Sequence, residues 1–195
     1  MCDFKVNKII NLTKKVDLKR PYDVMNIANY LIKHFADQNK TINDQLLQKI
    51  LYFLQADYLR HNPEKPLFLD QIHKWGIGPI IPAVYNNFKD EVGNPYGRIT
   101  EPRAYYTIDD NYNWYCHHPE LYTIDQSDQE RINPLADEIY QAYHNDAYAL
   151  IKITKQEPMI KAYRQEITHA NGELTYTNDE IAKYYVQADN WLWSH

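Results

Sequence analysis

The chain has 195 residues, of which 44% are hydrophobic and 24% charged; this is ordinary globular usage and excludes wholesale disorder and collagen-like or low-complexity architectures. One domain is expected, long enough to bury a full core without a disulfide or metal staple. A formal net charge of −5 gives no whole-molecule attraction for nucleic-acid phosphate, Cys2 and Cys116 cannot build a disulfide framework, and neither a membrane span nor a signal peptide is visible, so a cytoplasmic protein off the membrane is expected.

Residues 1–21 read as a basic N-terminal arm, where Lys5, Lys8, Lys14, Lys15, Lys19 and Arg20 face only Asp3 and Asp17. Such a segment is either a solvated chain end or a handle for an acidic partner. The first helix is predicted from Tyr22 to Asp37, with Val24, Ile27, Ala28, Leu31, Ile32 and Phe35 at three- and four-residue intervals and Pro21 beside its first turn. A second runs from about Ile42 to Arg60, capped by Thr41 or Asn43, and its apolar face of Leu46, Leu47, Ile50, Leu51, Leu54, Tyr58 and Leu59 should pair with the first helix as a hairpin.

After His61 the spacing of Pro63, Pro66, Gly76, Gly78, Pro79 and Pro82 forbids a continuous helix and predicts a shaped loop with a short helix or two. The turn Asn94-Pro95-Tyr96-Gly97 and the β-favouring runs Tyr105 to Ile108 and Leu121 to Ile124 predict a small hairpin or edge excursion. Helical periodicity resumes behind a Ser127/Glu130 capping-box pattern, with Pro134 set to kink or restart that helix. Further helices are predicted from Asp146 to Lys155, after Pro158, and from a Thr177/Glu180 cap to Tyr185; between the last two lie a turn at Asn171-Gly172 and a short strand at Glu173 to Tyr176. The fold class is therefore mainly α, a multi-helix domain with a minor β excursion.

The specific signatures of catalysis fail. Cys116-His117-His118 and His73 are metal-ligand types, but adjacent His117 and His118 diverge on a strand and no second pair completes a tetrahedral site, so no metal is expected. No Walker or dinucleotide loop, G-x-S-x-G elbow or H-E-x-x-H helix occurs, and Pro79 removes the amide that Gly76-Ile77-Gly78 would need to cradle a phosphate. Neither a catalytic residue nor a cofactor is assigned; a hydrolase built on Cys116 and His117 ranks last among the readings.

What remains is aromatic. The chain carries 18 Tyr and 4 Trp against 5 Phe, a bias that marks either contact surfaces or half-buried positions where Tyr replaces Phe. Two patterns stand out: Leu47-Gln48-Lys49-Ile50-Leu51-Tyr52, with Lys49 and Tyr52 on one side of a helix, and Trp75-Gly76-Ile77-Gly78-Pro79-Ile80 leading to Tyr85. The second makes a sharp corner that serves the fold, a ligand, or both. The indoles of Trp191 and Trp193 near the chain end either pack back on the core or await a partner.

In these blocks, with the helix Tyr22 to Phe35, the stretch Leu150 to Pro158 and the closing helix Asp179 to Tyr185, the chain resembles the Panacea domain, the SocA-like antitoxin domain of bacterial and phage toxin–antitoxin pairs. It departs from that pattern at Thr154-Lys155 and Pro158-Met159, where the family often shows Thr-His and Pro-Trp, so no role of that His or Trp transfers. The resemblance implies a Panacea-like domain over residues 22–186 followed by an aromatic tail over 187–195. It implies a non-enzymatic antitoxin of type II that neutralises a co-encoded toxin by direct contact, with partner-binding positions at Lys49, Tyr52, Trp75, Gly78, Pro79, Tyr85, Trp191 and Trp193. Translation inhibitors resembling small alarmone synthetases are among the toxins such proteins meet, and self-association is a further expectation. The alternatives are a protease adaptor that delivers the toxin for degradation, or a nucleic-acid-binding transcriptional regulator using the basic arm, whose binding would weaken steeply with salt.

Overall fold

A computed structural model describes residues 8–89, 97–169 and 174–194. The protein is mainly α with a minor β component: the described residues form eight α-helices and nine short strands. The basic N-terminal segment, from Lys8 onward, is stitched to the middle of the chain. Strand β1 (Lys8–Asn11) runs parallel to a later strand, β8, and β2 (Val16–Asp17) runs parallel to another, β9.

Helix α1 (Val24–Asp37) starts at Asp23, whose side chain accepts from the Met25 amide, so Tyr22 stays outside the helix as a buried aromatic. After the two-residue β3 (Ile42–Asn43), α2 (Asp44–His61) is capped by Asn43, one of the two caps predicted. Every residue of α2 from Asp44 to Leu59 is buried. A helix covered on all sides is a central element, and here α1, α3, α4, α5 and α8 all pack on it.

The segment beyond His61 holds more β structure than its prolines suggested. Strands β4 (His73–Trp75) and β5 (Gly78–Ile80) form an antiparallel hairpin in which Trp75 faces Gly78 and Lys74 faces Pro79. Three-residue strands are too short to show alternation, which is why the pattern stayed hidden. Helix α3 (Pro82–Phe88) follows, with proline in its first turn. The predicted turn at residues 94–96 lies outside the described residues.

Beyond it, β6 (Arg98–Ile99) pairs with β3, and β7 (Tyr105–Ile108), on the predicted run, pairs antiparallel with β8 (Asn113–His117), giving a three-stranded sheet ordered β1-β8-β7. A 3-10 turn at Pro119–Leu121 leads to β9 (Tyr122–Thr123). Helix α4 (Gln126–Tyr143) is capped by Asp125, whose carboxylate accepts from the Ser127 amide and hydroxyl. Ser127 is thus a ligand of the cap and not the cap, and α4 runs through Pro134 as one helix. Helices α5 (Ala147–Thr154), α6 (Pro158–Lys161) and α7 (Arg164–His169) are short, and α8 (Asn178–Tyr185) opens on the full Thr177/Glu180 capping box. The Asn171-Gly172 turn lies outside the described residues. Of the predicted strand Glu173 to Tyr176, Glu173 lies outside the described residues, and among the described ones Thr175 makes a single antiparallel bridge to His73 of β4.

Asp128 on α4 fastens the N-terminal segment to the core. Its buried carboxylate accepts from the hydroxyls of Tyr22 at 2.5 Å and Tyr58 at 3.0 Å and pairs with the Arg20 Nε at 2.9 Å. Asp128→Ala removes the acceptor of two buried hydroxyls and the partner of a guanidinium, and should cost about 2–4 kcal/mol, read as a lower urea midpoint with unchanged slope.

Candidate partner-binding site

Helix α2 carries polar side chains where a central helix would ordinarily be apolar, and three of them, Gln48, Lys49 and Gln55, tie down pieces of backbone. Gln48 accepts from the Ile81 amide at 2.8 Å, Lys49 Nζ donates to the Pro79 carbonyl at 2.8 Å, and Gln55 accepts from the Leu67 and Phe68 amides at 2.9 and 3.2 Å while donating to the Phe68 carbonyl. Backbone that cannot pair within a sheet must find partners elsewhere when buried. The proline-rich segment finds them on α2, and that fixes the path of the β4–β5 hairpin.

Behind Lys49 lies a buried carboxylate. Glu157, in the link between α5 and α6, accepts hydroxyl protons from Tyr185 at 2.5 Å, Tyr52 at 2.7 Å and Tyr176 at 3.4 Å. Burial pushes its pKa up to about 7, against the opposing pull of the three hydroxyls and of Lys49. Burial also drives Lys49 down to about 7, with the charges of Asp44 and Glu157 acting against it. The Tyr52, Tyr176 and Tyr185 hydroxyls are all raised, first by burial and then by the adjoining carboxylate. Four parts of the chain meet on this one group: α2, the α5–α6 corner, Tyr176 beside the residue that pairs with β4, and α8.

The corner itself depends on Gly78. Its φ of +89° is one that a side chain rarely adopts, and a Cβ there would meet Thr154 Oγ1 at 2.6 Å and Lys49 Nζ at 3.3 Å. The hairpin presents the Trp75 ring, edge to face with Tyr85 of α3 at 5.1 Å, both rings partly exposed. Buried strand positions Lys74 and Pro79 alternate with this outward Trp75; Lys74 reaches Glu180 at 3.0 Å.

The tail packs back on the core. Trp191 lies under the Arg60 guanidinium at 3.7 Å and edge-on to Tyr185 and Phe53, while Trp193 is 38% exposed and stacked on Tyr143. The eight positions picked from the sequence therefore divide into three groups. Lys49, Tyr52, Gly78 and Pro79 form one buried unit, Trp75 and Tyr85 form a partly exposed pair above it, and Trp193 stands apart on α4. Trp191 joins the first group through Tyr185, which contacts Tyr52. Sequence reasoning missed Glu157, Tyr176 and Tyr185, the groups that complete the unit. A single Glu before a proline carries no pattern, and only the meeting of distant segments gives it partners.

The Cys116 region is organised differently from the sequence-based pairing. His117 is engaged with the Tyr122 hydroxyl at 2.7 Å and Thr107 at 2.8 Å, and the ring beside the buried Cys116 thiol, at 3.6 Å, belongs to His118. In the N-terminal segment Lys19 pairs with Asp125 and Arg20 with Asp128. No group of three or more metal-ligand side chains stands close enough to hold an ion among the described residues, and no helix among them is long and apolar enough to cross a membrane.

Residues 47–190, which carry both this buried unit and the aromatic corner above it, match the family described as "Antitoxin SocA-like, Panacea domain". The chain belongs to the SocA-like antitoxin Panacea family. No curated protein and no solved structure matches it.

Two outcomes follow from this geometry. Gly78→Ala combines an unfavourable φ with a clash against Thr154, and should lower unfolding free energy by about 2 kcal/mol or more in urea titration. Asp44 is buried with one carboxylate oxygen unpartnered, and burial raises its pKa to about 6. The folded chain therefore holds that proton more tightly than the unfolded chain, where the value is about 4, and the stability that Asp44 contributes falls as pH rises from about 4 to 6. Asp44→Asn removes this penalty: the variant should match the wild type near pH 4 and exceed it by about 1–2 kcal/mol at pH 8 in denaturant midpoints.

Proposed function

We propose that this protein is a cytoplasmic type II antitoxin that neutralises a co-encoded protein toxin by direct contact, covering the toxin's active site and performing no bond chemistry itself. The observation that carries the reading is the family match over residues 47–190, which covers the buried Lys49–Glu157 unit and the Trp75–Tyr85 pair above it. An aromatic pair held on a fixed hairpin and on the helix that follows it loses little freedom on binding, the condition under which a small patch supports tight association. Lys49, Tyr52, Gly78 and Pro79 act from beneath, setting the position of that pair. Trp75 and Tyr85 meet the toxin, and Trp193 extends the contact on the α4 side. A small alarmone synthetase-like translation inhibitor is a suitable class of toxin for such a cover, because its substrates must enter a cleft that a bound protein can fill.

Co-expression with the product of the neighbouring gene tests this. Wild-type chain should restore growth with the toxin still at full level on an immunoblot. Toxin that disappears only while a cellular protease is active supports the adaptor reading instead, and failure to restore growth overturns neutralisation. Tyr85→Ala, checked first for an unchanged melting profile, should weaken the complex by about 2 kcal/mol, roughly thirtyfold in Kd by calorimetry.

A further inference from the structure

Beside Trp75 the surface opens into a cavity of about 330 Å³ lined by Trp75, Gly76, Ile160 and Ile167 and by the cations Lys155, Lys161 and Arg164. Resting on the toxin-binding reading above and naming its chemistry, we propose that this cavity receives an acidic side chain of the partner protein, a Glu or Asp carried between apolar residues.

Three independent features point to that occupant. The first is the indole of Trp75, whose Nε1 is buried and has no hydrogen-bond partner. An indole N–H donates and cannot accept, so the group it lacks is an acceptor; as the ring stands Nε1 is out of a ligand's reach, and the partly exposed ring turns toward the cavity when the acceptor binds. The second is the charge of the rim. Lys155, Lys161 and Arg164 gather around this one opening, all three are exposed, and none of them is ion-paired among the described residues, whereas Lys33, Lys74 and Arg131 meet Asp37, Glu180 and Asp57. Helix dipoles account for a cation just past the end of α5 at Lys155 and at the end of α6 at Lys161. They do not account for Arg164, which opens α7, the end where a cation is disfavoured.

The third feature is the wall. Ile160 is buried and Ile167 half-buried at the cavity, and Gly76 leaves space, since a Cβ there would meet nothing within 4 Å. An inorganic anion would use the rim and leave the apolar wall idle. A carboxylate on a peptide with apolar neighbours uses both, and the size suits one or two side chains. Nucleic acid fits poorly, because the rim sits on a chain of net charge −5.

The test needs no toxin. The full-length chain, labelled with nitrogen-15, is titrated with the capped peptide acetyl-Phe-Glu-Glu-Phe-amide while the Trp75 indole resonance, assigned with Trp75→Phe, is followed. A saturable shift is expected, with affinity at least tenfold weaker for the Gln-for-Glu peptide and for the double variant Lys161→Glu/Arg164→Glu, whose melting profile should be unchanged because both residues are exposed. An unmoved indole at millimolar peptide, or equal affinity for the Gln peptide, overturns the inference. Sulfate alone reproducing the shift overturns the peptide occupant in favour of a free anion. A chain that binds the peptide but fails to restore growth loses the neutralisation reading and keeps the pocket. A double variant that binds the co-encoded toxin as tightly as the wild type loses the pocket and keeps neutralisation.

Discussion

A carboxylate taken out of water is costly unless hydrogen bonds replace the water, and Glu157 obtains three from tyrosines that lie far apart in the sequence. That requirement draws the α5–α6 corner, α8 and Tyr176, beside the residue that pairs with β4, onto α2. Lys49 stands close enough to stabilise the charge, and its own ammonium is directed at the Pro79 carbonyl. The same group of residues thus supplies the electrostatics of the interior and the shape of the surface above it. Removing one partner would leave the others buried and unpaired, which is why such a network acts as a unit.

The consequence at the surface is rigidity at one place. Gln48 and Lys49 hold the backbone at Ile81 and Pro79, so the hairpin bearing Trp75 has little freedom to move relative to α2. Tyr85 meets Trp75 from α3, which starts immediately beyond the held residues. A surface shaped from below in this way can differ in its outer residues while keeping its geometry, since Lys155, Lys161 and Arg164 are exposed and the groups that position the corner are buried.

A second polar centre does comparable work at the other end of α2. Asp128 gathers Arg20, Tyr22 and Tyr58, and Asp57 gathers Arg60 and Arg131. The guanidiniums of Arg20 and Arg131 also lie against the Tyr58 ring. This joins the N-terminal segment to the helical body and commits two cations of the basic segment to carboxylates of the same chain, Lys19 at the surface and Arg20 at the buried Asp128.

Helix periodicity, caps and proline placement were legible in the sequence because they rest on neighbours within a turn or two: α1, α2, α4, α5 and α8 lie where their apolar spacing puts them, and the Thr177/Glu180 box is present as read. Local spacing could also single out Lys49, Tyr52, Trp75 and Gly78, since each stands in an unusual run. It could not show that Lys49 and Tyr52 face inward, because a fully buried helix shows no polar side to contrast with an apolar one. The β4–β5 hairpin, the pairing of β1 with β8, the Glu157 cluster and the cavity beside Trp75 depend on residues tens of positions apart, whose approach is decided by the packing of whole elements around α2. Amino-acid order determined which segments coil and where they stop; the need to satisfy buried polar groups across distant segments decided which side chains ended inside and which were left at the surface.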